Sequence, residues 1–154
     1  MERNYWLFKT EPSTFSFDDL MKAPNRTTSW DGVRNFQARN MLRDQVAIGD
    51  LVFIYHSSAD PTGIAGTAEV VRAGYPDPSA FDKKDSHFDP KSDSKNPTWY
   101  LVDVRAMEPL PRFITLDELR KVNGLEDMVL LKRGSRLSIQ PVKQAEWEII
   151  TKLR

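Results

Sequence analysis

The chain of 154 residues contains no cysteine. That absence removes disulfides, thiol nucleophiles and zinc–thiolate sites together, and it is neutral about compartment. Histidine is almost as scarce, with only two residues, His56 and His87. A Ser-His-Asp arrangement would have to join one of them to Ser57 or Ser58, and no segment reads as a nucleophile elbow. Charge of either sign is not in excess, 22 Lys+Arg against 22 Asp+Glu, so any nucleic-acid partner must be met by a local patch rather than by a basic domain. No run reaches the ~18 apolar residues of a membrane span, and MERNYWLFKTEP has no apolar export core. The expectation is a cytoplasmic protein with no membrane contact. No Pro/Gly/Ser-rich linker or charge run divides the chain, so one domain is expected over residues 1–154.

The pattern that is present alternates short strands with short helices. YWLFKT, Tyr5 to Thr10, is aromatic-rich and stopped by Glu11-Pro12, which suits a first strand. Ser16 ahead of Asp18 and Asp19 predicts a capped helix ending before Pro24, and Asn35 to Arg43 predicts a second. LVFIYHS and GIAGTAEVVRAG predict two antiparallel strands around DPTG. WYLVDVRAM, Trp99 to Met107, predicts another. Thr115 to Glu118 has the spacing of a capping box, and helices are expected to run on to Asn123-Gly124 and then from Leu125 to Arg133. Ser135 to Gln140 reads as extended, with a terminal helix starting at Pro141 and burying Val142, Ala145, Ile149 and Leu153. Between Pro76 and Pro97 no period is sustained, so a long ordered loop or a functional flap is expected. The order lacks regular βαβ alternation, which predicts an α+β fold, a small mixed or antiparallel barrel flanked by helices.

Candidate chemistry is thin outside one corner. GIAG, Gly63 to Gly66, lacks phosphate-loop spacing and more simply permits close backbone approach or a bulge. KRGSR, Lys132 to Arg136, is a cationic patch that could meet a phosphate, although Gly134 reads first as a helix C-cap. DSHFD, Asp85 to Asp89, is better explained by turn chemistry than by a metal site, and no cofactor is expected. The corner is SWDGVRN. Its Asp31-Gly32 turn lets Trp30 project from a rigid bend, Asn35 offers a donor and acceptor pair that suits a base edge, and Arg34, Arg39 and Arg43 cluster nearby. A core-capping tryptophan beside a solvated helix face would give the same letters.

Taken in order, WLFKTEP, SWDGVRN with ARN, VFIYHS, GIAG, FDPKS, WYLVDV and GSRLSIQPV resemble the EVE domain of bacterial proteins and of the thymocyte nuclear protein family, across essentially the whole chain. That family is PUA-like and similar to YTH domains. The resemblance implies a non-catalytic reader of modified bases in DNA or RNA, with cytosine modified at its 5-position the leading candidate. It implies a base pocket walled by Trp30, with Asn35 on the ring edge and Lys9, Ser29, Tyr55, His56, Ser57, Leu137 and Ser138 at its rim. Phe88, Asp89 and Pro90 would close over it, and Arg34, Arg39, Lys132 and Arg136 would contact phosphates. The nuclear relatives carry a basic N-terminal tail that this chain does not show, which suggests a bacterial stand-alone domain. The alternative is a nucleoside or nucleotide enzyme with His56 and Lys9 as acid/base groups, and a third reading is a protein-interaction module built on the loop from Pro76 to Pro97.

Overall fold

The structure is a computed structural model that describes residues 3–132 and 137–153. Along the chain lie β1 (Tyr5–Thr10), α1 (Phe17–Lys22), β2 (Thr27–Ser29), α2 (Phe36–Asp44), β3 (Leu51–His56), β4 (Gly63–Pro76), β5 (Tyr100–Ala106), β6 (Ile114–Thr115), α3 (Leu116–Leu119), β7 (Ile139–Val142) and α4 (Gln144–Thr151). The strands form one sheet in the order β2-β5-β4-β3-β1-β7, with β6 on β4. Among the described residues only β1 and β3 pair in parallel, with α1, β2 and α2 making the crossover. The α+β class and the flanking helices are as expected. The barrel is not closed: the hydrogen-bonded path starts at β2 and ends at β7.

Both faces of the sheet are buried, and strand alternation decides which residue faces which core. Trp6, Phe8, Val52, Ile54, Val70, Val102 and Val104 pack on one side against Leu20 of α1 and Ala38 and Leu42 of α2. Leu7, Phe53, Tyr55 and Ile64 pack on the other, against Leu119 of α3 and Trp147 and Ile150 of α4. Trp147 stacks on Phe53 with centroids 3.9 Å apart. The indole of Trp6 donates to the buried Asp50 carboxylate at 2.9 Å, which also accepts from the Asn4 and Ala47 amides. A buried carboxylate needs such donors to be tolerated.

Local sequence explains most element ends. Ser16 and Asp19 form a reciprocal capping box at α1, and Thr115 caps α3 by accepting from Glu118 N–H at 3.1 Å. Four expectations fail. The helix expected to run from Thr115 to Asn123-Gly124 is a single turn that ends at Leu119. The helix predicted from Leu125 to Arg133 is only a 3-10 turn at Val129–Leu131 within the described residues, and its Gly134 stop lies outside them. Pro141 does not open a helix but sits in β7 opposite Trp6. β7 ends the sheet, where a missing N–H is harmless. The last helix therefore starts after Lys143, and its buried positions are Glu146, Trp147 and Ile150 rather than the Ala145 stripe. Two very short strands, β2 and β6, carry too few residues to show a period.

The GIAG segment does what glycines in a strand permit. β4 bulges where its pairing with β3 steps from Gly66↔Ile54 to Ile64↔Tyr55. A Cβ on Gly66 would lie 2.3 Å from the ring of Phe17. Gly66→Ala is expected to destabilise the protein by roughly 1–3 kcal/mol, because the α1 ring must move away from the sheet. A thermal melt that leaves the midpoint unchanged would show that the contact is not as tight as described.

Candidate functional site

A cavity of about 420 Å³ opens at the C-terminal end of β1. Lys9, Thr10, Thr14 and Phe15 line it from β1 and the turn that follows, and Thr28, Ser29, Trp30, Asp31, Gly32, Val33 and Arg34 from β2 and its extension. His87 enters from the long loop, and Ser138 from just before β7. Its size lies in the range of small-ligand pockets.

Trp30 is set by backbone pairing, since its N–H donates to Val102 O at 2.8 Å and carries the β2–β5 ladder one residue further. Its indole packs against Phe8 at 5.5 Å and edge-on against Phe15 at 6.5 Å. With 7% of its surface exposed, it is both a core residue and a cavity wall. The chain then turns at Gly32, whose φ of +77° favours glycine. A Cβ there would lie 2.5 Å from His87 Nε2, so the same glycine lets the histidine ring seat against the turn.

The turn is tied to the long loop by Asp77, whose side chain is fully buried. Its carboxylate accepts from Gly32 N–H at 2.9 Å, Arg34 Nη1 at 3.0 Å, Ser79 N–H at 2.8 Å and Ser79 Oγ at 2.6 Å. Burial acts to raise this carboxyl, but the donors from Ser79, Gly32 and Arg34 outweigh it and hold it below the usual carboxylate range. Arg34 completes the tie by donating to Val33 O, Ser79 Oγ and twice to His87 O. All five guanidinium donors are then used.

Two other charged groups border the cavity. Burial lowers the pKa of Lys9. Asp31 is raised, first by desolvation of its carboxyl and then by the like charges of Asp77 and Asp85, with His87 opposing. Oxygens of Asp31 and Asp85 and a ring nitrogen of His87 fall within 4.8 Å of one another. Asp85 also accepts from the His87 amide at 2.8 Å, and Asp82, Asp89 and Asp93 each accept from the amide two residues on, as turn chemistry requires.

The EVE domain family matches residues 4–153. The chain belongs to that family. It is 42% identical to human thymocyte nuclear protein 1 over 167 aligned residues, covering 97% of this chain and 73% of the relative. Human thymocyte nuclear protein 1 in complex with 5-methylcytosine-containing DNA superposes with a TM-score of 0.88 at 42% identity, over 96% of this chain and 95% of that one. A protein from Leishmania major superposes at 0.90 with 44% identity, over 97% and 92%. No helix among the described residues is long and apolar enough to cross a membrane.

In this EVE domain the expected site residues do not all meet. Lys9, Ser29, Trp30, Arg34 and Ser138 line the cavity. Asn35 does not: it is exposed, and its Oδ1 caps α2 by accepting from Ala38 N–H at 3.0 Å. Tyr55 points into the opposite core, 3% exposed, and Ser57 continues the β1–β3 pairing through its amide to Thr10 O. Leu137 lies just outside, its carbonyl accepting from Gln140 Nε2. The loop reaches the cavity with His87 rather than with Phe88, Asp89 and Pro90, because Asp89 is held by the Trp99 indole at 2.6 Å. Of the expected phosphate contacts, Arg34 is saturated, Arg39 donates to Thr98 O at 2.6 Å and lies over the Phe36 ring, Lys132 is exposed, and Arg136 lies outside the described residues. Sequence reasoning missed Phe15 and His87, for which turn-rich surroundings gave no periodic signal, and took Asp31 only as part of a turn.

His56 is also elsewhere. Its Nε2 accepts from Phe17 N–H at 3.0 Å, anchoring the start of α1, so the proposed acid/base pair with Lys9 does not share the cavity. Desolvation lowers its pKa. The fold therefore favours the neutral ring, and this stability is present above the unfolded value near pH ~6.5 and lost as pH falls from there through the lowered folded value. His56→Ala should lower stability by about 1–3 kcal/mol, the cost of an amide left without its acceptor, while cavity ligands still bind. Loss of ligand binding in a folded His56→Ala protein would contradict this placement. For Asp77→Asn the expected loss is roughly 2–3 kcal/mol, below that of a wholly buried pair because Arg34 retains part of its exposure. The native carboxyl is depressed, so its contribution should be present above pH ~4 and lost on further acidification. Urea titrations across that window should show a shallower acid limb in Asp77→Asn, and parallel limbs would refute the assignment.

Proposed function

We propose that this EVE domain is a non-catalytic reader that takes a modified base, with 5-position-modified cytosine in DNA first and modified RNA second, into the cavity beside Trp30. The observation that carries the reading is an indole wall in a base-sized cavity, on a chain whose human relative was solved with 5-methylcytosine-containing DNA. A base must leave its stack to be inspected on all edges, and stacking on an aromatic ring recovers ~1–3 kcal/mol of what that costs.

The surrounding groups suit this role. Phe8 and Phe15 hold the indole on two sides, and the Asp77–Arg34 tie fixes the turn that follows it. Rigid placement reduces the ordering cost of binding. Because Arg34 is internally satisfied, phosphate attraction falls to Lys9, Lys132 and neighbouring cations, and a neutral chain should bind with modest, salt-sensitive affinity.

Because Trp30 is a core residue, Trp30→Ala is expected to cost about 3–5 kcal/mol of stability and is a poor test alone. Trp30→Phe keeps an aromatic wall of smaller area and should weaken binding to a 5-methylcytosine oligonucleotide about tenfold while the fold persists. Fluorescence anisotropy at two salt concentrations reads this directly. Unchanged affinity in folded Trp30→Phe and Trp30→Leu proteins would overturn the reading.

A further inference from the structure

We propose that Asp31 is the residue that separates 5-methylcytosine from thymine in this cavity, by accepting a hydrogen bond from the amine at the 4-position of the base. The proposal rests on the modified-base reading above and adds the group that decides which base is kept.

5-Methylcytosine and thymine have the same ring and the same methyl group. An indole wall and an apolar fit to the methyl are therefore blind to the difference between them. What differs is the neighbouring edge, where cytosine presents an N4–H₂ donor beside an N3 acceptor and thymine an O4 acceptor beside an N3–H donor. Hydroxyl groups rotate to serve either, so Thr10, Thr14, Thr28, Ser29 and Ser138 cannot discriminate firmly. Arg34 has no N–H to spare. Among the residues lining the cavity, Asp31 carries the only side chain that solely accepts.

Its setting fits the task. Asp31 follows the stacking wall directly in the chain, and its amide donates to Ser29 O at 3.0 Å, which fixes the turn that presents it. No other side chain donates to its carboxylate among the described residues. The carboxylates of Asp77 and Asp85 stand near it, and His87 only partly offsets them. Asp31 is exposed and lines the cavity, so an incoming amine adds a donor that no side chain supplies, whereas thymine O4 would set a further acceptor beside carboxylates that already repel it. An acceptor that loses its water when the base enters rejects an analogue lacking the donor more strongly than an apolar wall does.

Single-stranded oligonucleotides carrying 5-methylcytosine, cytosine, thymine or deoxyuridine at one central position remove duplex pairing from the comparison. The native protein should bind 5-methylcytosine at least about tenfold more tightly than thymine. In Asp31→Asn the amide can present either a donor or an acceptor, so the ratio should fall to within about threefold without loss of thermal stability. If the native protein selects 5-methylcytosine, Trp30→Phe weakens it and Asp31→Asn keeps the full ratio, then Asp31 is not the discriminator although the reader function stands. A native preference for thymine would place the carboxylate on the N3–H edge and overturn the proposal. Equal binding to cytosine and 5-methylcytosine, insensitive to Trp30→Phe, would sink the reader function and the Asp31 role together.

Discussion

The carboxylate of Asp77, withdrawn from water and met by donors from Gly32, Arg34 and Ser79, is the contact on which the shape of the cavity depends. It joins two segments more than forty residues apart in the chain and makes them one wall. A buried carboxylate with fewer donors would be neutralised or expelled, so each donor is needed for the others to be effective. Arg34 shows the cost of this arrangement: a cation placed where it would suit a polyanion is used up inside the protein.

The sheet explains why the cavity lies where it does. Helices cover both faces, so concave space is left at the strand ends, where β1 stops and the extension of β2 crosses it. Residues there belong to several segments and are held by side-chain contacts rather than by a ladder. Preorganisation of the indole, the turn and the His87 ring thus comes from packing and from Asp77, not from regular secondary structure.

Much of the fold was legible because its signals are local. Ser16 and Asp19, Thr115 and Glu118, and the apolar runs of β1 and β3 each announce an element within a few residues. The cavity was legible in part. Trp30 and the Asp31-Gly32 turn could be read as a corner, and the family resemblance supplied its meaning. Asn35 misled because asparagine before a helix is equally a cap, and the cap is what the structure shows. Tyr55 was misjudged because a strand end does not reveal which face its last residues take when the sheet is covered on both sides. Asp77 and His87 were unreadable as site residues, since their partners lie far away in sequence and the loop between Pro76 and Pro97 has no period to project from. Pro141 shows the same limit, because its place on the outermost strand depends on strand order.

An open sheet also has two edges, and unpaired edge amides invite other chains to add strands. Here one edge is β2, only three residues long, and the other is β7, which carries Pro141 in its middle. Neither offers a continuous row of donors for an intruding strand. The two ends of the strand path are thus poor templates for an added strand although the sheet stays open, and the short β2 edge leads directly into the segment that bears Trp30.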